Sequence, residues 1–427
     1  MKYVNSFYAL KSLASTIGDD MKSWISDLDT CGVNMDWRHR LDSSLPESNT
    51  YHEDIQDIVE SLRNGIHLTV EQGVKMWNFA DLSVIANLAT ACKKARFGEQ
   101  VFFNSNLHVN QTNICTLACK FCAFRRGPKA KDAYALDIGE FIERIRPYSQ
   151  IIDEVHTVGG LHPEWDVTYY ENLFSAVRQE YPHIHIKSLS AVEVKHIAEI
   201  SGINPRALLT RLKSSGLDSL PGGGAEILDD DVRDAICFGK ETSNEYISIH
   251  RDAHSIGMPT NCTMLFGTIE TVEQRISHLC TLRELQDETS GFQCFVPYPY
   301  LPDNSRLPEA QLASGNEVLR MIAISRLMLD NIPHIKAYRM NIGDCISELA
   351  LHHGADDFDG TVGHEEIMHN AGSDSIVGYS KSQLTQFIID AKGIPVLRNS
   401  NYTKFRRYDD DDFDSGIRLP ITTVGGV

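Results

Sequence analysis

A chain of 427 residues with 42% hydrophobic and 23% charged side chains has the composition of a soluble globular protein, long enough for one large barrel with additions. Its 40 basic against 58 acidic residues leave a formal charge of -18, which repels a phosphate backbone and excludes general nucleic-acid binding. Met1 to Trp24 lacks the apolar core of a secretory signal, and no run reaches the ~20 apolar residues of a membrane span. The expected compartment is the cytoplasm, with the ten cysteines mostly reduced.

Residues 1 to about 50 carry no strong pattern. From Asp54 to Phe97 apolar residues fall at helical spacing (Ile55, Ile58, Val59, Leu62, then Leu82, Ile85, Leu88), broken near Gly65 and Gly73, which predicts a helical lead-in within residues 1–100. From Val101 short β-branched runs alternate with longer amphipathic segments. Strands are expected at Leu107 to Ile114, Ile152 to Val158, His185 to Leu189, Leu217 to Leu220, Thr260 to Phe266, Phe292 to Val296 and Ile335 to Met340, with a weak eighth near Phe358 to Val362. Helices are expected between them, at Ile138 to Pro147, Tyr169 to Glu180, Val192 to Glu199, Ser243 to Ser255, Val272 to Leu285 and Glu317 to Asp330. This alternation is α/β and predicts a (β/α)8-type barrel, complete or partial, over residues 101–363. A helical extension is expected over 364–404, clearest from Lys381 to Ile389, and the aspartate run 409–412 with Asp414 predicts an acidic, solvated, mobile tail over 405–427.

Seven cysteines are scattered, and Cys115, Cys119 and Cys122 cluster as C-x3-C-x2-C directly after the first expected strand. Three thiolates can occupy three irons of a [4Fe-4S] cubane. The fourth iron is then free to chelate the amino and carboxylate groups of S-adenosylmethionine (SAM), with Phe121 beside it. The plainer reading, three small residues on one helix face, fits poorly with Lys120 between them and the loop-like flank Asn110 to Thr116. Structural zinc wants four closed ligands in nearby pairs, and the next cysteine is Cys237.

Gly159 and Gly160 end the second strand and let backbone approach a ligand, here the amino group of SAM's methionine moiety, against the alternative of a plain turn. Leu220-Pro221-Gly222-Gly223-Gly224-Ala225-Glu226 follows the fourth strand without the Lys-Ser or Lys-Thr of a P-loop. Its Glu226 is a candidate for the sugar hydroxyls of SAM, against the alternative of a solvent-facing turn residue.

These segments together resemble the radical-SAM enzymes of the futalosine route to menaquinone and their deazaflavin-synthase relatives, over about residues 55 to 400. The resemblance rests on Phe102-Phe103-Asn104 through Cys122-Ala123-Phe124, Gly159-Gly160-Leu161-His162-Pro163, His185-Ile186-Lys187 leading to Ala191-Val192-Glu193, and the run from Gly216 to Glu226. It also takes in Leu285 to Thr289, Asp330 to Ala337 and Gly354 to Thr361. The Gly-Gly-Leu-His-Pro and Ile-Lys-(x3)-Ala-Val-Glu forms point to a synthase rather than to the later cyclase. The resemblance implies a transferase that adds the 5′-deoxyadenosyl radical to 3-[(1-carboxyvinyl)oxy]benzoate, consumes SAM as a co-substrate, and draws its electron from a low-potential donor such as flavodoxin or ferredoxin. The rivals are the cyclase, a deazaflavin synthase subunit and, from another class, a non-catalytic iron-sulfur or zinc protein.

An acceptor with two carboxylates needs a local reversal of charge at the mouth of so acidic a barrel. Lys336 and Arg339 on the seventh expected strand, Arg306 in the loop after the sixth, and His162 after the Gly-Gly turn are the candidates, and an arginine fork suits a carboxylate better than a lysine.

Overall fold

The computed structural model describes residues 31–358 and 360–407. The N-terminal part is helical: α1 (Trp37–Ser44), α2 (Glu53–Asn64), α3 (Val70–Asn78) and α4 (Leu82–Phe97) precede β1 (Gln100–Phe103). The chain breaks at Gly65, which takes the left-handed conformation that ends α2. Gly73 breaks nothing and lies inside α3, which a Thr69–Gln72 capping box starts. A Cβ on Gly73 would stand 2.4 Å from Ile276 Cγ2, so this glycine lets α3 dock on the helix that carries Ile276.

The barrel strands are β2 (Asn106–His108), β3 (Glu154–Thr157), β4 (His185–Ser188), β5 (Thr260–Phe266), β6 (Phe292–Pro299), β7 (His334–Ala337) and β8 (Asp357–Phe358). β2, β3 and β4 pair in parallel, as do β5, β6, β7 and β8. Single parallel bridges, Lys187 to Ser219 and Leu220 to Thr260, carry the ring across the place of the fourth strand. Asn106 closes it: its N–H donates to Thr361 Oγ1 at 3.0 Å, and its side-chain oxygen accepts from Val362 N at 3.0 Å. The expected α/β barrel is thus present, its two sheets joined by these bridges and side-chain bonds.

Several expected strands are shorter than their apolar runs. β2 stops at His108 because, after Val109 N donates to His156 O, the next side chains turn the backbone into a bonded loop. Asn110 Nδ2 donates to Val158 O, and Asn113 donates to Asp132 O while accepting from Tyr134 N. β7 stops at Ala337, so Arg339 is not a strand residue but opens a helix, Arg339–Ala350. Segments 205–214 and 230–237, unassigned from sequence, are helices, and Asn204 with Pro205 forms an N-cap and first-turn pair that marks the first of them.

The segment after the barrel is more than helical. Past the helix Lys381–Asp390, β9 (Ile394–Arg398) adds to the outer edge of β1 in parallel, and β10 (Phe405–Arg407) pairs antiparallel with β9. Residues 405–407, expected in a mobile tail, are therefore sheet, and the aspartate run lies outside the described residues. β1 stands between β8 and β9 and joins the barrel to this addition.

The addition is locked by charge. Arg398, fully buried on β9, donates to both oxygens of Asp357 on β8 at 2.6 and 3.0 Å, and Tyr402 Oη donates to the same carboxylate at 2.9 Å. Lys336 Nζ stands 3.4 Å from it. Burial would raise the Asp357 carboxyl, but the Arg398 and Lys336 charges hold it at about 2.

Arg398→Met strands a buried carboxylate and is expected to cost about 3 kcal/mol at neutral pH, measured by denaturant unfolding. The native pKa of Asp357 lies below its unfolded value of about 3.9. Its contribution is therefore complete above pH ~4 and fades as the pH falls toward 2, so the gap between native protein and variant should narrow in acid.

Candidate active site

The three clustered cysteines sit in an irregular loop at the C-terminal end of the barrel, where the loops of this architecture carry function. The loop is pinned along its length. Ile114 bridges Arg126, Cys115 N donates to Arg126 O at 3.1 Å, Thr116 N to Leu161 O at 3.0 Å, and Lys120 N to Ile236 O at 2.7 Å. Arg125 Nε donates to Leu117 O at 2.8 Å. Arg306 adds Nη2 bonds to Ala118 O at 2.8 Å and Cys119 O at 3.2 Å, and its own N–H donates to Lys120 O at 2.7 Å.

All three thiols are free of disulfides, half-buried, and on the wall of one cavity of about 290 Å³. Burial pushes the Cys119 thiol well up against the opposing charge of Lys240, and pushes Cys122 up against backbone hydrogen bonds from Arg125 and Phe124. Thiols in this setting stay protonated until a metal displaces the proton. Among the described residues no three Cys, His, Asp or Glu side chains converge on a point that one ion could share. A cubane asks for something else, one thiolate on each of three irons, and three soft donors on one loop beside an open cavity fit that group.

The Gly-Gly turn serves the loop as much as the cavity. A Cβ on Gly160 would stand 2.2 Å from the carbonyl oxygen of Ile114, and one on Gly159 would stand 2.9 Å from Thr112 O. Gly160 N donates to Thr112 O at 2.8 Å. Gly159 reaches the cavity wall, while Gly160 lies beneath the cysteine loop and is the reason the loop can lie so close to β3.

Two carboxylates line the cavity. Glu193 starts the helix after β4 in a Ser190 capping box; its oxygens accept from Ser190 N at 2.7 Å, Ser190 Oγ at 2.6 Å, Gly159 N at 3.0 Å and Gln111 Nε2 at 3.0 Å. Burial raises its pKa, and these bonds oppose the rise. Glu226, at a φ of 45°, pairs with Lys240, whose ammonium lies 5.8 Å from the centre of the Phe121 ring. Phe124, Leu265, Tyr298, Tyr300 and Met368 add apolar surface to the same cavity.

Of the residues singled out from sequence, Cys115, Cys119, Cys122, Phe121, Gly159 and Glu226 share this cavity. His162, Arg306, Lys336 and Arg339 are not on its wall. His162 stacks on Trp165 with ring centres 4.3 Å apart. Lys336 is inside the barrel beside Asp357, and Arg339 is fully buried, donating to Asp344 Oδ1 at 3.2 Å and Ile376 O at 2.7 Å over the Tyr379 ring. Sequence reasoning assigned no role to His156, Ser190, Lys240 or Asn341, all of which line it. The Ser190-x-x-Glu193 capping signature after a strand could have flagged Ser190; nothing local marks His156 or Lys240.

Comparison with known proteins agrees with this geometry. The Radical SAM superfamily profile matches residues 109–280, and that of the CofH/MqnC C-terminal region matches residues 289–411. The aminodeoxyfutalosine synthase of Thermus thermophilus is 37% identical over 82% of this chain and 96% of its own length. The cyclic dehypoxanthine futalosine synthase of Streptomyces coelicolor is 34% identical over 84% and 91%. A 5-amino-6-(D-ribitylamino)uracil–L-tyrosine 4-hydroxyphenyl transferase of Methanoculleus marisnigri is 38% identical over 75% and 89%. The crystal structure of methylornithine synthase shares the fold, with a TM-score of 0.62 at 17% identity, covering 78% of this chain and 96% of that one. The chain belongs to the radical SAM enzymes, in the family that contains aminodeoxyfutalosine synthase and its relatives. Enzymes of this superfamily work with a [4Fe-4S] cluster and SAM.

Anaerobic reconstitution is expected to give about four irons per chain, and Ala at Cys115, Cys119 or Cys122 to abolish SAM cleavage. Gly160→Ala, which drives a methyl group into the Ile114 carbonyl, should leave a folded barrel that retains less iron. Arg306→Met should hasten iron loss to a chelator, since that side chain holds the loop.

Proposed function

We propose that this chain is an aminodeoxyfutalosine synthase, joining the adenosyl group of SAM to 3-[(1-carboxyvinyl)oxy]benzoate. The products are 6-amino-6-deoxyfutalosine, methionine, and the lost carboxylate as carbon dioxide or bicarbonate. The observation that carries this reading is the 37% identity across 96% of the length of the Thermus thermophilus synthase. The Gly159-Gly160-Leu161-His162-Pro163 and Ala191-Val192-Glu193 forms support the synthase over its sister reactions.

Cys115, Cys119 and Cys122 would hold the cluster, which with SAM bound supplies a 5′-deoxyadenosyl radical by one-electron cleavage. Gly159, Ser190 and Glu193 offer polar groups on one side of the cavity for the amino acid portion of SAM, and Glu226, turned inward at its left-handed position, offers an acceptor to ribose hydroxyls. Phe121, Phe124, Tyr298 and Tyr300 surround space suited to the aryl ring and keep water from the reacting carbon. The electron comes from a small low-potential protein, flavodoxin or ferredoxin, meeting the exposed side of the cysteine loop. Among the described residues no helix is long and apolar enough to cross a membrane, and the reaction is assigned to the cytoplasm.

The test is anaerobic incubation with dithionite, the enolpyruvyl benzoate and SAM labelled in its adenine. The label should travel with the acceptor in a single product. Recovery of the label only as free 5′-deoxyadenosine, one per turnover, would overturn the reading in favour of hydrogen abstraction.

A further inference from the structure

The acceptor of the proposed reaction carries two carboxylates, yet no arginine lines the cavity among the described residues. Off the wall, Arg306 bonds the cysteine loop, Arg339 Nη1 bonds Asp344 and Ile376, and Lys336 lies beside Asp357. Lys240, on the wall, is engaged by Glu226 and by Gly224 O at 3.2 Å. What remains is His156. It stands on β3, in register with His108 on β2 and Lys187 on β4, and it reaches the cavity wall where those two do not.

Every ionisable group around His156 is committed to another partner. His108 Nδ1 lies 2.9 Å from Glu365 Oε2, which also accepts from Tyr338 Oη at 3.0 Å. Lys187 Nζ donates to Glu154 Oε2 at 2.7 Å. The carbonyl of His156 accepts from Val109 N at 2.9 Å, while its imidazole has no hydrogen bond or ion pair among the described residues; the ring centre lies 4.5 Å from that of His108. An imidazole held by committed neighbours and opening on a cavity has its hydrogen-bonding capacity free for whatever enters.

We propose that His156 is a carboxylate-binding residue for the acceptor, taking up one proton as the acceptor enters and donating it, as imidazolium, in a hydrogen bond to one carboxylate. The proposal rests on the synthase reading. Burial, and then His108, push the His156 pKa well below the usual histidine value, with Glu154 opposing, so the ring is neutral before the acceptor arrives. An anion at hydrogen-bond distance reverses that preference, because the charged ring then gains an opposite charge in a poorly solvated site. The balance is one solvent proton bound per acceptor bound, with no bond to carbon made or broken.

The experiment is calorimetric binding of 3-[(1-carboxyvinyl)oxy]benzoate to the cluster-loaded, SAM-bound protein without reductant, in two buffers of different ionisation enthalpy. Native protein should take up close to one proton per acceptor, and its affinity should fall about tenfold per pH unit across the neutral range. His156→Gln should take up none, bind at least about tenfold more weakly and lose that pH dependence, with iron content and melting temperature verifying that it is folded. If the glutamine variant does not fold, His156→Asn and the buffer comparison on native protein serve in its place. Binding without proton uptake, or uptake that survives in the variant, overturns the role of His156 alone. No binding of this acceptor by native protein overturns the synthase reading and the inference together.

Discussion

The contact between the carbonyl of Ile114 and the bare Cα of Gly160 sets the position of everything reactive in this protein. A loop without regular structure has to present three sulfurs at fixed separations, and loops of that kind drift unless their backbone groups are bonded. Here the bonding partners come from four different places: Arg126 within the loop, Leu161 after β3, Ile236 after β4, and Arg306 after β6. The barrel mouth is therefore closed over on one side by its own cysteine loop. At Gly160 that loop lies so close that a Cβ would stand 2.2 Å from the Ile114 carbonyl oxygen.

Below the mouth the barrel interior is unusually ionic for a protein core. Glu154 with Lys187, Asp357 with Arg398 and Lys336, and Glu365 with His108 are buried pairs, each linking different strands or segments. Such pairs add little net stability against apolar packing, but they hold orientation, because breaking one leaves a charge with no solvent to turn to. The hydrogen bond and charge of His108, acting against burial, bring the Glu365 carboxyl to about 2. The result is a floor whose dipoles are fixed before any ligand arrives, the condition under which electrostatic recognition costs least reorganisation.

What the sequence made legible was local. The cysteine spacing is a property of eight consecutive residues, Cys115 to Cys122, and its chemistry follows from ligand number alone. The helix Ser243–Ser255 was readable at both ends because Thr242 and Glu245 cap it and its apolar face repeats cleanly. That the residues expected to clamp a carboxylate lie off the cavity wall was not legible, for the opposite reason. Whether an arginine faces a ligand or a carbonyl is decided by partners far away in the chain, Ala118 for Arg306 and Ile376 for Arg339, and no pattern in either neighbourhood records them. His156 was hidden within an ordinary strand for the same reason. Strands β9 and β10 escaped notice because they follow a helix after the barrel is already complete, where the alternation that marks βα units has ended.

The place of β1 between β8 and β9 has a bearing on how the chain comes into being. During synthesis β1 emerges first of the three and has no strand beside it on either side until residues near 357 and then 394 have followed. Asn106 likewise waits for Thr361 and Val362. An unpaired parallel edge is a surface on which other chains can add, so a nascent barrel of this topology is exposed for as long as translation lasts. The late segment carrying Arg398 and Tyr402 is thus what covers that edge and ties it to Asp357.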